Sequence, residues 1–81
     1  MVHIKFFGTA RVKFGKSEMV ANAKCVKELL QIVADEFGVR VKDIKQFLIY
    51  VNEINISKLK MWRTKLYEGD QIMFLSPASG G

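Results

Sequence analysis

The sequence predicts an α+β domain in which one helix packs across one small mixed sheet. Three patterns point there. Val2, Ile4 and Phe6 alternate with His3 and Lys5, the signature of a strand with one buried face. Val26, Leu29, Leu30, Val33 and Phe37 recur at helical spacing, the apolar stripe of an amphipathic helix of about three turns. The runs 47–51 and 71–75 are rich in β-branched and aromatic residues, as strands are.

Each element follows in order. Phe7 adds an apolar side chain on the other face of the first strand, and Gly8-Thr9-Ala10 breaks the run. Gly15-Lys16-Ser17 is a second turn signal, and Glu18 to Ala21 forms a short second strand that makes a hairpin with the first. The helix starts near Cys25, where Glu28 stands at capping-box spacing, with Asn22 as a competing N-cap, and Gly38 ends it as a left-handed cap. Phe47 to Val51 carries apolar side chains on both faces and predicts a central, doubly covered strand. Asn52-Glu53 turns the chain into the short strand Ile54 to Ile56. Ser57 to Lys65 is irregular and basic around Met61 and Trp62. Glu68-Gly69-Asp70 is a tight turn before the last strand, Gln71 to Leu75, and Pro77 ends that strand because it has no N–H to give a ladder. The order leaves the helix as the only crossover long enough for a change of strand direction. Ile4, Phe6, Leu29, Leu30, Val33, Ile49 and Ile72 are expected to share one core.

Composition narrows the function. With 81 residues the chain has room for one domain, 1–81, and 49 % hydrophobic with 26 % charged residues excludes disorder. A single Cys25 excludes an internal disulfide and a cysteine zinc site, and a single His3 gives no second imidazole, so no metal is expected. No apolar run approaches the ~20 residues of a membrane span, and Met1 to Lys5 has no signal-peptide core. A reduced, cytoplasmic setting without membrane contact is the expectation. The excess of 13 Lys and Arg over 8 Asp and Glu gives +5, which invites nucleic acid or an acidic partner. Against nucleic acid, the basic stretch 58–65 holds one aromatic, Trp62, where single-strand binding takes several. Trp62 is better read as folding back onto the core.

Side-chain catalysis finds little support. Cys25 on the helix and His3 on the first strand make no readable pair, and Cys25 reads as a small half-buried hydrophobe. Asp35 and Glu36 are helix neighbours that point apart. Gly8 and Gly15 are separated turn glycines, not a phosphate loop. The unusual feature is the ending. After Pro77 come Ala78, Ser79, Gly80 and Gly81, so the last two positions lack a Cβ. Such a tail threads a narrow slot in a partner, and a terminal glycine carboxylate is an unhindered group for activation as an acyl-adenylate.

The stretch Glu68 to Gly81 resembles the C-terminal signature of the MoaD/ThiS-type sulfur carriers. Ile4 to Phe7 with Ala10-Arg11, the helix segment Val26 to Leu30 and the strand-turn Val51-Asn52 are similar to that family as well. The Pro77-to-Gly81 ending looks more like the molybdopterin-synthase branch than the thiamine branch. The resemblance implies a β-grasp, ubiquitin-like fold and a carrier that is not an enzyme alone. It implies an ATP-dependent adenylating enzyme as partner, with ATP used by that partner and no cofactor bound to the carrier. It implies Gly81 as bearer of an adenylate and then a thiocarboxylate, with Gly80 keeping the tail slim. The large subunit of molybdopterin synthase is the implied second partner, and it receives the tail, which donates the sulfur to a pterin precursor. Phe7 and Leu75 fall at positions that form the family's apolar docking surface.

Cys25 in place of the helix-cap Thr, the long basic segment 57–65 and the net charge of +5 depart from the pattern. Thiamine or tRNA thiolation carriers and ubiquitin-like protein modifiers share the same tail chemistry. A non-covalent β-grasp module for RNA or protein is the reading of another class. Residues 77–81 are expected to be a flexible tail, ordered on binding at about 1–2 kcal/mol per residue. Phe7 and Leu75 are expected on adjacent edge-to-centre strands, partly exposed on the sheet face away from the helix.

Overall fold

The N-terminal alternation becomes β1 (Val2–Phe6), with Val2, Ile4 and Phe6 buried and His3 and Lys5 exposed. The computed structural model describes residues 1–77. β1 pairs antiparallel with β2 (Glu18–Ala21) and parallel with β5 (Gln71–Leu75). β3 (Leu48–Val51) pairs antiparallel with β5 on one side and with β4 (Ile54–Asn55) on the other. The sheet order is β2-β1-β5-β3-β4, so the first and last strands form its centre.

α2 (Val26–Phe37) buries Val26, Leu29, Leu30, Val33 and Ala34 against one face of this sheet. Gly38 closes it at φ 65°, donating its N–H to the Ala34 carbonyl. At the other end Cys25 is the N-cap, not Asn22, and its thiol caps nothing. The Glu28 carboxylate instead accepts the Lys24 N–H at 3.2 Å. α2 links β2 to β3, and both run antiparallel to the central pair. The crossover therefore joins strands of the same direction and reverses nothing, a correction to the sequence expectation.

The second correction is that α2 is not alone. α1 (Thr9–Phe14) lies between Gly8 and Gly15, where the sequence reads as broken. Ala10 and Phe14, one turn apart, are its buried side. Phe14 stacks on Phe37 at 4.6 Å between centroids and meets the edge of Phe6 at 5.1 Å, contacts worth about 0.5–1.5 kcal/mol each beyond burial. α3 (Val41–Ile44) adds a single turn that buries Ile44. The Asp43 carboxylate accepts from the Arg40 guanidinium at 3.2 and 3.3 Å and from the Arg40 backbone N–H at 3.3 Å. The guanidinium hydrogen bond holds that carboxyl below its ordinary range.

β3 is not the central, doubly covered strand expected from its composition. It lies one strand from the edge, with Ile49 and Val51 buried and Leu48 and Tyr50 half-buried on the face that no helix covers. The turn after it places both Asn52 (φ 49°) and Glu53 (φ 70°) in the left-handed region, the geometry of a tight hairpin. Asn52 also donates to the Asp70 carboxylate at 3.0 Å and accepts the Gln71 N–H at 2.9 Å. It thereby ties that hairpin to the 68–70 turn. The basic segment holds two short 3₁₀ turns, Ile56–Lys58 and Met61–Arg63. Trp62 is half-buried and packs against the core, as the sequence reading has it. Ile4, Phe6, Leu29, Leu30, Val33, Ile49 and Ile72 do share one buried cluster. No helix among the described residues is long and apolar enough to cross a membrane.

Candidate docking face and tail root

The register of the central strands fixes which side chains share the uncovered face of the sheet. Phe6 lies beside Phe74, and Phe74 opposite Ile49, all three buried on the helix side. Their successors and neighbours therefore point the other way, because strand side chains alternate. Leu75 faces its partner Leu48, and Phe7, whose N–H donates to the Phe74 carbonyl at 2.9 Å, lies next to Leu75. One pair further along, Lys5, Met73 and Tyr50 form the adjacent row. The result is an apolar patch of Phe7, Leu75, Leu48, Met73 and Tyr50. Phe7 is 41 % exposed and the others are half-buried.

Phe7 and Leu75 are thus brought together on adjacent strands and away from α2, as expected, although both strands are central. Leu48, Tyr50 and Met73 were not singled out by sequence reasoning. Their signal was present in the apolar residues on both sides of the 47–51 run, but a helix-covered face and a docking face look alike in composition.

The root of the tail is held by a second contact. Ser76 Oγ accepts the Thr9 N–H at 2.6 Å and shares a hydrogen bond with Thr9 Oγ1 at 2.9 Å. Gly8, at φ 59° and ψ −132°, makes room for this contact, since a Cβ there would overlap Ser76 Oγ. The chain beyond β5 therefore leaves the sheet beside Phe7 at a fixed point. Pro77 is half-buried there. Ser79, Gly80 and Gly81, and with them the expected flexible tail beyond Pro77, lie outside the described residues. Among the described residues no group of three or more His, Cys, Asp or Glu side chains could hold a metal ion. Cys25 and His3 are not brought together: Cys25 is half-buried at the start of α2, and His3 is exposed on β1.

Residues 4–81 match the ThiS family. The chain belongs to the ThiS family. Among solved structures it is similar to the small archaeal modifier protein 1 of Methanosarcina acetivorans, with 25 % identity, 99 % of this chain and 95 % of that one covered, and a TM-score of 0.83. It is also similar to a chain in the complex of subunits 1 and 2 of the molybdopterin-converting factor from Helicobacter pylori. There the identity is 28 %, the coverage 99 % and 97 %, and the TM-score 0.71. A chain in the Amycolatopsis orientalis BexX/CysO complex shares the fold, with 17 % identity, full coverage of both chains and a TM-score of 0.84. No curated protein matches the chain. ThiS-family proteins are small sulfur carriers and ubiquitin-like modifiers that act with partner enzymes. The mixed five-stranded sheet crossed by a helix is their ubiquitin-like β-grasp fold.

Proposed function

We propose that this ThiS-family chain is the sulfur-carrying small subunit of a molybdopterin synthase. The observation that carries the reading is the apolar row Phe7, Leu75 and Leu48 at the root of the segment that ends in Gly80-Gly81. The row docks a partner enzyme, and the partner's slot takes the tail from Pro77 through Ser79. Gly80 leaves the tail free of a side chain next to the reacting residue. The Gly81 carboxylate attacks the α-phosphorus of ATP on an activating enzyme and expels pyrophosphate. A sulfur donor then displaces AMP from the acyl-adenylate, which leaves a thiocarboxylate on Gly81. The loaded tail moves to the large subunit of molybdopterin synthase, where its sulfur bonds to the pterin precursor and water cleaves the acyl–sulfur bond, restoring the Gly81 carboxylate. The carrier itself supplies no acid, base or cofactor to these steps; it supplies the acyl group and the docking face. Its place of work is the cytoplasm. The similarity to a chain in the complex of the Helicobacter pylori molybdopterin-converting factor supports this branch. The similarity to an archaeal modifier protein supports a second reading, transfer of the activated Gly81 acyl group to a protein amine.

The test is intact-mass spectrometry after incubation with an activating enzyme, ATP and a sulfur donor. Wild type is expected to gain the mass difference of one oxygen exchanged for sulfur. A chain extended by one residue presents a carboxylate on the wrong atom and is expected to gain nothing. A chain lacking Gly81 falls about 3.3–3.6 Å short of the reacting atoms and is also expected to gain nothing. Equal behaviour of all three chains would leave only a non-covalent binding module. Sulfur release on adding the large subunit and the pterin precursor separates the synthase reading from the modifier reading.

A further inference from the structure

The face of the molecule opposite the docking patch carries a groove that the carrier reading does not use. It lies where α2, α3 and the second 3₁₀ turn meet, with a volume of about 760 Å³. The half-buried Val41 and Trp62 form its apolar floor, with Leu30 fully buried beneath, and Lys27, Lys45 and Arg63 stand around it. The one carboxylate in its lining, Glu28, already accepts the Lys24 N–H. None of the ion pairs among the described residues involves Lys27, Lys45 or Arg63. The groove thus combines an apolar floor with three cations against one carboxylate, in a chain of net charge +5.

We infer that this groove is a second docking site, for an acidic amphipathic segment of a partner protein. Apolar side chains of that segment lie on Trp62 and Val41, and its carboxylates meet Lys27, Lys45 and Arg63. Protein fits better than single-stranded nucleic acid for two reasons. Nucleic acid strands take successive aromatic platforms, and this groove has one aromatic ring. The second is that Lys45 Nζ, 4.8 Å from the centroid of that ring, sets beside it a cation that a carboxylate next to an apolar side chain can meet. Since the groove is on the helix side of the sheet and the apolar patch on the other, both sites are open to partners at the same time. A carrier held through the groove keeps its tail free to visit an enzyme.

Trp62 is the sole tryptophan of the chain, so its fluorescence reports the groove directly. The probe is a synthetic helical peptide with leucines at i, i+3, i+4 and i+7 and glutamates on the other face. Controls are an all-glutamate peptide and an oligouridylate of equal charge. The leucine–glutamate peptide is expected to shift Trp62 emission in a saturable manner. Its binding weakens when salt shortens the screening length from ~10 Å to ~3 Å. The Lys45→Glu/Arg63→Glu double variant is expected to lose about tenfold or more in affinity by calorimetry, a readout that does not depend on the altered tryptophan surroundings. Its circular dichroism is expected to be that of wild type, because both residues are exposed. Leu75→Asp is expected to bind the peptide as wild type does, which separates this site from the tail-docking face. No saturable shift, or undiminished binding by the double variant, overturns the proposal. Equal binding of the oligouridylate overturns it in favour of a polyanion surface.

Discussion

At the scale of single residues, Gly8 and Ser76 carry the contact on which the tail root depends. Gly8 occupies φ 59°, ψ −132°, which a residue with a Cβ adopts only under strain, and Ser76 Oγ fills the space the Cβ would need. Gly15 and Gly38 also have positive φ, but nothing lies within 4 Å of a Cβ built on either. Replacing Gly38 by Ala therefore incurs only the left-handed penalty of about 1–2 kcal/mol. Gly8→Ala is expected to cost more than Gly38→Ala, by about 1 kcal/mol or more in urea unfolding. Ser76→Ala alone loses about 0.5–1.5 kcal/mol with the Thr9 hydrogen bond. In the Ser76→Ala background the extra cost of Gly8→Ala shrinks, because the overlapping oxygen is gone. Equal costs for Gly8→Ala and Gly38→Ala would mean that Ser76 does not hold the tail root.

At the scale of elements, the hairpin between β3 and β4 offers a test of turn chemistry. Asn tolerates the left-handed conformation at position 52, but Glu53 at φ 70° has no such dispensation. Glu53→Gly is expected to raise stability by about 0.5–1 kcal/mol, less than the full left-handed penalty because glycine also loosens the unfolded chain. A fall in the urea midpoint would show that Glu53 contributes a contact outweighing its backbone strain. Elements differ in how well the sequence announces them, and the difference is physical. α2 repeats its apolar stripe over 12 residues, so periodicity is sampled several times and Gly38 marks its end. α1 has 6 residues and one repeat, Ala10 to Phe14, between two glycines that read as turns although they are its caps. β3 was recognisable as a strand but not placeable, because Leu48 and Tyr50 on the uncovered face are as apolar as Ile49 and Val51 in the core.

At the scale of the whole molecule, Phe74 and Leu75 are chain neighbours with opposite duties. Phe74 is fully buried between Phe6 and the helix side of the sheet, with its ring 5.5 Å from that of Phe6. Leu75 is half-buried among Leu48 and Phe7 on the open face. Phe74→Ala is expected to cost about 3–5 kcal/mol and to lower the melting temperature steeply. Leu75→Asp is expected to cost about 1 kcal/mol or less while it abolishes co-purification with a partner enzyme. A collapse of the fold in Leu75→Asp would make the open face part of the core. That Phe7 and Leu75 share the open face was legible through the family resemblance. The Ser76–Thr9 contact was not, because it joins residues 67 positions apart that have no pattern in common.

The place of β5 between β1 and β3 also governs how the molecule comes into being. Without residues 71–75 the sheet falls into two separate two-stranded pairs, β1 with β2 and β3 with β4, each marginal in water. On the ribosome β5 is made after every other strand, so the nascent chain has no centre to close around until residue 75 has left the exit tunnel. Its closing contacts, from β1 to β5, span nearly the whole described sequence and make late, cooperative folding the rule. A product cut short before β5 does not mature into a body with a docking face. Every folded copy has therefore been translated past Leu75, and the fold itself screens out chains that stop before the tail root.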